Sequence, residues 1–178
     1  MLNKLIPMVI EVTPVNERIM RRTICHSLGV ISLVSVYALT EVSDLTMWDT
    51  FYAMLESVVD QCPRRETLLV LGDFNVSTGT DRDGYETCVC PHGSGTVKQN
   101  STKFLDFGRS HGLRVAGSSF QRPKAHCWTW YSNAGGVAKE VDHVLVDGRW
   151  RMIQNFRIYW SAHFLNTDRR LMVATLKL

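Results

Sequence analysis

The segment LLVLGDFN, Leu68 to Asn75, tells more about the fold than any other part of the sequence. Its apolar start runs directly into Gly-Asp, a pattern typical of a buried β-strand that ends at a turn. Continued alternation of side-chain direction would put Asp73 and Asn75 on the same side of the chain. There a carboxylate can activate water or hold a hard cation, and an amide can orient the water or a phosphoryl oxygen. An Asx turn that only closes the strand is the alternative.

The segments around this strand predict an α/β domain. Val30 to Tyr37 is a β-branched, largely apolar run and predicts a second buried strand. Between the two strands, Thr46 and Asp49 have the spacing of a capping box, and apolar residues recur at helical spacing until Pro63. Gly, Ser, Thr and Asp predominate from Val76 to Gln99, which predicts a long surface loop.

The remaining sequence predicts one more helix and a series of short strands. The helix begins near Ser101 and ends before Gly112. The predicted strands are Leu113 to Phe120, Trp128 to Tyr131, Glu140 to Val146, Met152 to Tyr159 and Leu171 to Leu178. We expect one globular domain over residues 1–178.

Composition limits the classes of protein to which the chain can belong. A chain of 178 residues with 45% hydrophobic content can bury a substantial core. Five cysteines without a repeated spacing favour free thiols, and a location in the nucleus or cytoplasm, over a disulfide framework. The sequence predicts no membrane span, no secretion signal and no nucleotide cofactor. The net charge of +3 permits a polyanionic partner without requiring one.

Taken together and in order, the motifs resemble those of the endonuclease/exonuclease/phosphatase superfamily. They are VSVYAL, LLVLGDFN, WTW, EVDHVLV and NTDRRLMVATL, and the likeness runs over essentially the whole chain. More closely, the chain resembles the endonuclease domain of RTE/BovB-type non-LTR retrotransposons. The resemblance implies a sandwich of two β-sheets flanked by helices, and a magnesium- or manganese-dependent phosphodiester hydrolase that acts on DNA.

The resemblance also implies roles for individual residues. Tyr37 would help to hold the scissile phosphate, Asp73 would orient or deprotonate the attacking water, and Asn75 would support the same phosphate. Asp142 matches the aspartate that orients a catalytic histidine. Asp168 matches the carboxylate that precedes this histidine and lies near the metal ion, Mg²⁺ or Mn²⁺.

Further matches concern contacts to nucleic acid. Asn100 falls where the family places an asparagine that borders the active site. Trp128 and Trp130 match an aromatic segment that lies near bound nucleic acid in the family, where a ring can enter a minor groove. The alternative is a half-buried sheet with Thr129 facing water, and we favour it for Trp128.

Arg169 stands where the family has its catalytic histidine. Arginine stays charged and only donates hydrogen bonds, so Arg169 could pair with Asp142 and, with Arg170, contact a phosphate. Loss of general acid–base help typically costs about a hundred- to ten-thousand-fold in rate. From charge alone, the arginines between positions 149 and 170 fit a basic face and an ordinary solvated surface equally well. The sequence does not place His143 or His163 at the phosphate.

Two strands of the family, one with an asparagine and one with the metal-binding glutamate, have no counterpart before VSVY. We interpret Glu11 as an exposed structural residue in a hairpin that leads into the VSVY strand, and expect an N-terminally truncated domain. Three functions remain open at this point. They are a catalytically impaired, retrotransposon-derived and metal-dependent DNA endonuclease, a non-catalytic nucleic-acid-binding pseudonuclease, and a retroelement remnant without a selected role.

Overall fold

The structure is a computed structural model that describes residues 8–27, 29–149, 152–159 and 167–177. Its α-helices are α1 (Leu45–Asp60) and α2 (Gln99–Ser110), and 3-10 helices cover Ala116–Ser119 and Lys124–His126. The strands are β1 (Val9–Pro14), β2 (Ile19–His26), β3 (Gly29–Tyr37), β4 (Thr67–Asp73), β5 (Leu113–Val115), β6 (Trp130–Tyr131), β7 (Ala138–Lys139), β8 (Asp142–Asp147), β9 (Ile153–Tyr159) and β10 (Leu171–Leu176).

One six-stranded sheet organises the chain, with the spatial order β1-β2-β3-β4-β8-β5. Neighbouring strands in it are antiparallel except β3 and β4, which are parallel and are joined through α1. The strand pairs β9–β10 and β6–β7 form two small sheets. The mixed α/β fold expected from the sequence is therefore confirmed, with one large sheet, two small sheets and helices.

Apolar side chains cover both faces of the large sheet. On one face, α1 and α2 pack through residues such as Leu55, Phe104 and Phe107, all of which are fully buried. On the other face, Phe156 and Ile158 of β9 pack against strands β4 and β8. Burial on both faces explains why LLVL is a continuous apolar run instead of an alternating one.

Gly72 of the LLVLGDFN motif permits the close approach of β3 and β4. Its φ is +146°, and a Cβ atom added there would lie 1.9 Å from the carbonyl oxygen of Val36. Only a residue without a side chain fits this position. The glycine thus sets the spacing of the two strands just before they reach the predicted catalytic residues.

The helix boundaries differ from the predicted ones for local reasons. The cap of α1 is Asp44, whose carboxylate accepts a hydrogen bond from the Met47 amide over 2.8 Å, so the predicted Thr46–Asp49 capping box was wrong. Helix α2 starts at Gln99, two residues before the predicted Ser101. None of the helices within the described ranges is long and apolar enough to cross a membrane.

The predicted strand from Leu113 to Phe120 is shorter in the structure. It stops at Val115, because the Ser118 hydroxyl donates to the Val115 carbonyl over 2.7 Å and accepts from the Cys90 amide over 2.9 Å. These hydrogen bonds stabilise a 3-10 turn instead of further strand. The predicted strand at Trp128 likewise begins two residues later, at Trp130.

Two other expectations are confirmed. Residues 76–98 are described throughout and contain neither helix nor strand, as the composition of the loop predicted. Glu11 lies on β1 in a hairpin with β2, is exposed, and pairs with Arg21 over 3.3 Å. Its carboxylate therefore has the structural, surface position that we expected.

Candidate active site

Three predicted site residues occupy adjacent positions on neighbouring strands. Tyr37, the last residue of β3, is the register partner of Asp73, the last residue of β4. Asp73 is in turn the partner of Asp142, the first residue of β8. We call these three positions the site rung. The strand ends thus bring together one exposed phenol and two carboxylates at a single edge of the large sheet.

Arg169 connects the two aspartates of the site rung. Its Nη2 donates to Asp73 Oδ2 over 2.6 Å, and its Nη1 donates to Asp142 Oδ2 over 3.0 Å. Its Nε lies 3.9 Å from Asp168 Oδ1. The predicted pairing with Asp142 is confirmed, and the contact with Asp73 is an addition. One permanent cation therefore stands among three carboxylates.

The protonation of these groups follows from burial and from their mutual charges. Burial raises the pKa of Asp73, the charge of Asp142 adds to this, and the hydrogen bonds from Arg169 and from the Asn75 amide oppose it. For Arg169, burial acts to lower the pKa, but the charge of Asp142 and the hydrogen bond to Asp73 outweigh burial and raise it. Arg169 therefore stays protonated at neutral pH and cannot accept a proton there.

The chain turns sharply after Asp73. Asn75 has a φ of +53°, and its backbone amide donates to Asp73 Oδ1 over 2.9 Å. The Asx turn, which was the alternative interpretation of this segment, is therefore present. Strand alternation does not extend to Asn75, and its side chain instead donates to the Ala38 carbonyl over 3.0 Å. Asn100 of α2 donates to the Asn75 carbonyl over 3.1 Å. These contacts hold both asparagines at the border of one cavity.

Thr129 is the residue whose environment the sequence interpretation had wrong. It is fully buried, and its hydroxyl oxygen accepts hydrogen bonds from the amides of Val141 and Asp142 over 3.0 and 3.1 Å. Trp128 and Trp130 are partly buried and line the cavity instead. The Trp130 indole also donates to Asp168 Oδ2 over 2.7 Å, which fixes that carboxylate.

The cavity beside the site rung has a volume of about 540 Å³. Its lining includes Lys98 and Lys139, which the sequence interpretation missed. Lys98 Nζ lies 2.5 and 2.7 Å from the two carboxylate oxygens of Glu41, a hydrogen bond that lowers the pKa of Glu41. No local signal could have revealed this pair, because its members are 57 residues apart in the sequence.

Arg170 lies beside the cavity lining and not in it. One of its Nη atoms donates to the Ala125 carbonyl over 2.6 Å, and its guanidinium lies over the ring of Tyr131, 4.1 Å from the centroid. Burial lowers the pKa of Arg170. Its predicted contact with nucleic acid stays a prediction, and these intramolecular contacts do not support it.

The other basic residues that the sequence singled out are distributed over the molecule. Arg149 pairs with Asp147 at the end of β8 opposite to Asp142. The His143 ring is buried, and its Nε2 lies 2.8 Å from a backbone carbonyl, so it does not reach the cavity. Arg151 and His163 lie outside the described residues.

The arrangement of the acidic oxygens bears on the metal ion that the resemblance implies. Both oxygens of Asp73 accept hydrogen bonds from Asn75 and Arg169, and Asp168 Oδ2 accepts from Trp130. In the described part of the chain, no three His, Cys, Asp or Glu side chains are grouped so that they could hold a metal ion. As arranged, these residues do not fit a divalent cation, because a guanidinium of the same sign of charge stands between them.

Comparison with solved structures identifies the class of protein to which this architecture corresponds. A 3′ phosphatase, NExo, from Neisseria, bound to a product DNA hairpin, has a TM-score of 0.69 and 19% identity over 96% of this chain and 72% of that one. An AP endonuclease from Archaeoglobus fulgidus has a TM-score of 0.68 and 12% identity over the same shares. The endonuclease domain of TRAS1, a telomere-specific non-LTR retrotransposon, has a TM-score of 0.63 and 16% identity over 90% of this chain and 62% of that one. The chain thus has the nuclease- and phosphatase-type fold of the endonuclease/exonuclease/phosphatase superfamily, and the fold that the motifs implied is confirmed.

The chain is also similar in sequence to two curated relatives. The chain is 24% identical over 149 residues to craniofacial development protein 2 of Tragulus javanicus and 23% identical to that of Bos taurus. In both cases the match covers 83% of this chain and 25% of the relative, so the chain spans about a quarter of the length of these relatives. No protein-family model matches the chain.

Proposed function

We propose that the chain is a retrotransposon-derived domain of the DNA endonuclease type that binds DNA and is impaired in phosphodiester hydrolysis. The observation that carries the proposal is the ion pairing of Arg169 with Asp73 and Asp142. Two structures with a similar fold support the proposed origin and the proposed DNA binding. One is the endonuclease domain of a retrotransposon, and the other is bound to DNA.

The impairment follows from the chemistry of the paired groups. A general base must take a proton from the attacking water, and the hydrogen bonds from Arg169 to Asp73 Oδ2 and from the Asn75 backbone amide to Asp73 Oδ1 favour the charged carboxylate and so oppose this proton uptake. Arginine cannot replace histidine in proton transfer, because its pKa is far above neutrality. Together these features weaken the general base and leave the site without the histidine as proton-transfer partner.

Binding of DNA is favoured by the side chains that border the cavity. Lys98 and Lys139 both line this cavity. Lysines that neutralise backbone phosphates release counterions, which supplies most of the affinity in sequence-independent binding. Trp128 and Trp130 add two indole rings at the same cavity, and indoles can stack on bases or enter a groove.

The hydrolytic part is tested by nicking of supercoiled plasmid with Mg²⁺ or Mn²⁺. We expect the wild type and Asp73→Ala to nick at the same background rate at high protein concentration. A metal-dependent rate for the wild type that exceeds the rate for Asp73→Ala would show that the site hydrolyses DNA and would contradict the proposed impairment.

The binding part is tested by fluorescence anisotropy with a labelled DNA duplex over a range of salt concentrations. Lys98→Ala should weaken binding and lower the slope of log K against log salt by about 0.9, the value for one phosphate contact. Lys103→Ala is the matched control, since Lys103 also pairs with a carboxylate, that of Asp49, but does not line the cavity. Equal effects of both substitutions, or no binding at low salt, would contradict the proposal.

A further inference from the structure

We infer that Glu140 is a positioning residue of the cavity beside the site rung, and that Arg122 neutralises its charge so that the cavity can still take a phosphate. The carboxylate of Glu140 holds Ser94, and through Ser94 it holds the part of the loop that forms one wall of the cavity. We call this part, residues 93–98, the wall segment. The inference rests on the proposed function in one respect, because the phosphate is that of the DNA proposed to bind there.

The wall segment is bound both to its own loop and to Glu140. Four of its residues border the cavity, namely Ser94, Gly95, Thr96 and Lys98. Within the loop, the Gly79 amide donates to the Ser94 carbonyl over 2.9 Å, and the Ser94 amide donates to the Thr78 hydroxyl oxygen over 3.1 Å. The Ser94 hydroxyl donates to Oε2 of Glu140. This last hydrogen bond attaches the wall segment to a residue two positions before Asp142 of the site rung.

A buried ion pair fixes the Glu140 carboxylate. Nη2 of Arg122 donates to Oε1 of Glu140 over 2.8 Å, and the two side chains are only 7% and 5% exposed. The Arg122 guanidinium also lies over the ring of Phe156, 5.1 Å from the centroid. A buried carboxylate without partners is costly, and here each of its oxygens accepts one hydrogen bond, from Arg122 or from Ser94. Glu140 is therefore held by Arg122 and in turn holds the wall segment.

The position of Glu140 would oppose DNA binding if Arg122 were absent. Glu140 borders the cavity, whereas Arg122 does not. A carboxylate without a countercharge at this place would repel the phosphates that Lys98 and Lys139 are proposed to neutralise. Because salt screens buried charges only weakly, this repulsion would persist at physiological salt. Arg122 supplies the countercharge, so the carboxylate can accept the hydrogen bond from the loop without repelling a phosphate.

The first test needs no DNA. It follows hydrogen exchange of the Gly79 amide by NMR, because this amide donates to the Ser94 carbonyl and reports opening of the wall segment. Ser94→Ala removes the hydroxyl that contacts Glu140 and should raise the exchange rate at least about tenfold, as expected for loss of a hydrogen bond to a charged group. Thr96→Ala is the matched control, since Thr96 borders the cavity from the same segment but its side chain makes no hydrogen bond within the described residues. It should exchange like the wild type.

The second test measures the affinity for a labelled DNA duplex by fluorescence anisotropy at low salt. Arg122→Gln leaves the Glu140 carboxylate without its countercharge and should raise the Kd about tenfold. Addition of Glu140→Gln removes this carboxylate, and the double variant should regain most of the lost affinity. Arg149→Gln is the matched control, because it also removes one positive charge and frees a buried carboxylate, that of Asp147, but at the far end of β8. It should bind DNA nearly as tightly as the wild type.

Each test can overturn the inference. Equal exchange rates of the Gly79 amide in Ser94→Ala and Thr96→Ala would do so. A double variant that binds DNA no better than Arg122→Gln, after correction for the folded fraction, would also do so, because a pair that only stabilises the fold predicts no recovery of affinity. If Arg122→Gln does not fold, the exchange comparison decides. Absence of DNA binding by the wild type would contradict the proposed function, and the exchange comparison would still decide the positioning by Glu140.

Discussion

Thr129 offers the sharpest test of how the site is built, because one buried hydroxyl accepts hydrogen bonds from the amides of Val141 and Asp142. Thr129→Val keeps the shape of the side chain and removes this acceptor. A buried amide without a partner costs about 1 to 3 kcal/mol, so two of them should lower the free energy of unfolding by about 2 to 6 kcal/mol. Thr129→Ser keeps the hydroxyl and loses one buried methyl group, which should cost about 1 kcal/mol.

The assay is urea unfolding followed by tryptophan fluorescence, with the free energy of unfolding obtained by linear extrapolation. We expect Thr129→Val to be less stable than Thr129→Ser, although valine is the more hydrophobic residue. If the serine variant were destabilised as much as the valine variant or more, packing and not hydrogen bonding would hold Thr129, and the reasoning would be refuted. If the free energy of unfolding falls with urea concentration at the same slope in both variants, they unfold from comparable native states.

Further predictions concern the core and its ionisable groups. Gly72→Ala would place a Cβ 1.9 Å from the Val36 carbonyl oxygen and should cost more than about 3 kcal/mol by thermal or urea unfolding; a loss below about 1 kcal/mol would contradict the close approach of β3 and β4. Burial pushes the pKa of Asp147 up, but the hydrogen bonds from Arg149 outweigh burial and lower it. The pair therefore stabilises at neutral pH, by about 1 kcal/mol for a half-exposed arginine, and the stability gap between the wild type and Asp147→Asn should close as the pH falls through the lowered pKa. Burial raises the pKa of Cys88 to about 12, so at pH 8 a maleimide should leave Cys88 unmodified in the native protein and label all five cysteines in urea.

The elements that the sequence predicted well are those determined by local patterns. The apolar run of β4 and the helical spacing of α1 are properties of short segments, so the strand, the helix and the loop from 76 to 98 were all foreseen. The misplaced boundaries have another origin. The strand at Leu113 ends early because Ser118 contacts Cys90, a residue 28 positions away, and such a contact leaves no trace in a local pattern.

The sequence singled out the aspartates and the arginine that the structure brings together, but it did not predict their geometry. Asp142 was expected to need a partner, and Arg169 was the suggested one, because a carboxylate within an apolar strand is costly without a countercharge. The register that places Asp142 beside Asp73 depends on β8 inserting between β4 and β5, which is a long-range pairing. The burial of Thr129 could not be predicted from the sequence for a related reason. Threonine occurs at both exposed and buried positions of strands, and contacts with the neighbouring strand decide which of the two it occupies.

Arg169 and the residues of the site rung are held in the fold by different parts of the backbone. Tyr37, Asp73 and Asp142 sit on central strands whose register also holds the hydrophobic core, so a change of position there would disturb folding. Arg169 reaches the same place from a segment joined to Trp130 by one isolated bridge. Position 169 therefore lies outside the strands whose register holds the core, and its side chain sets the charge among the carboxylates without taking part in that register.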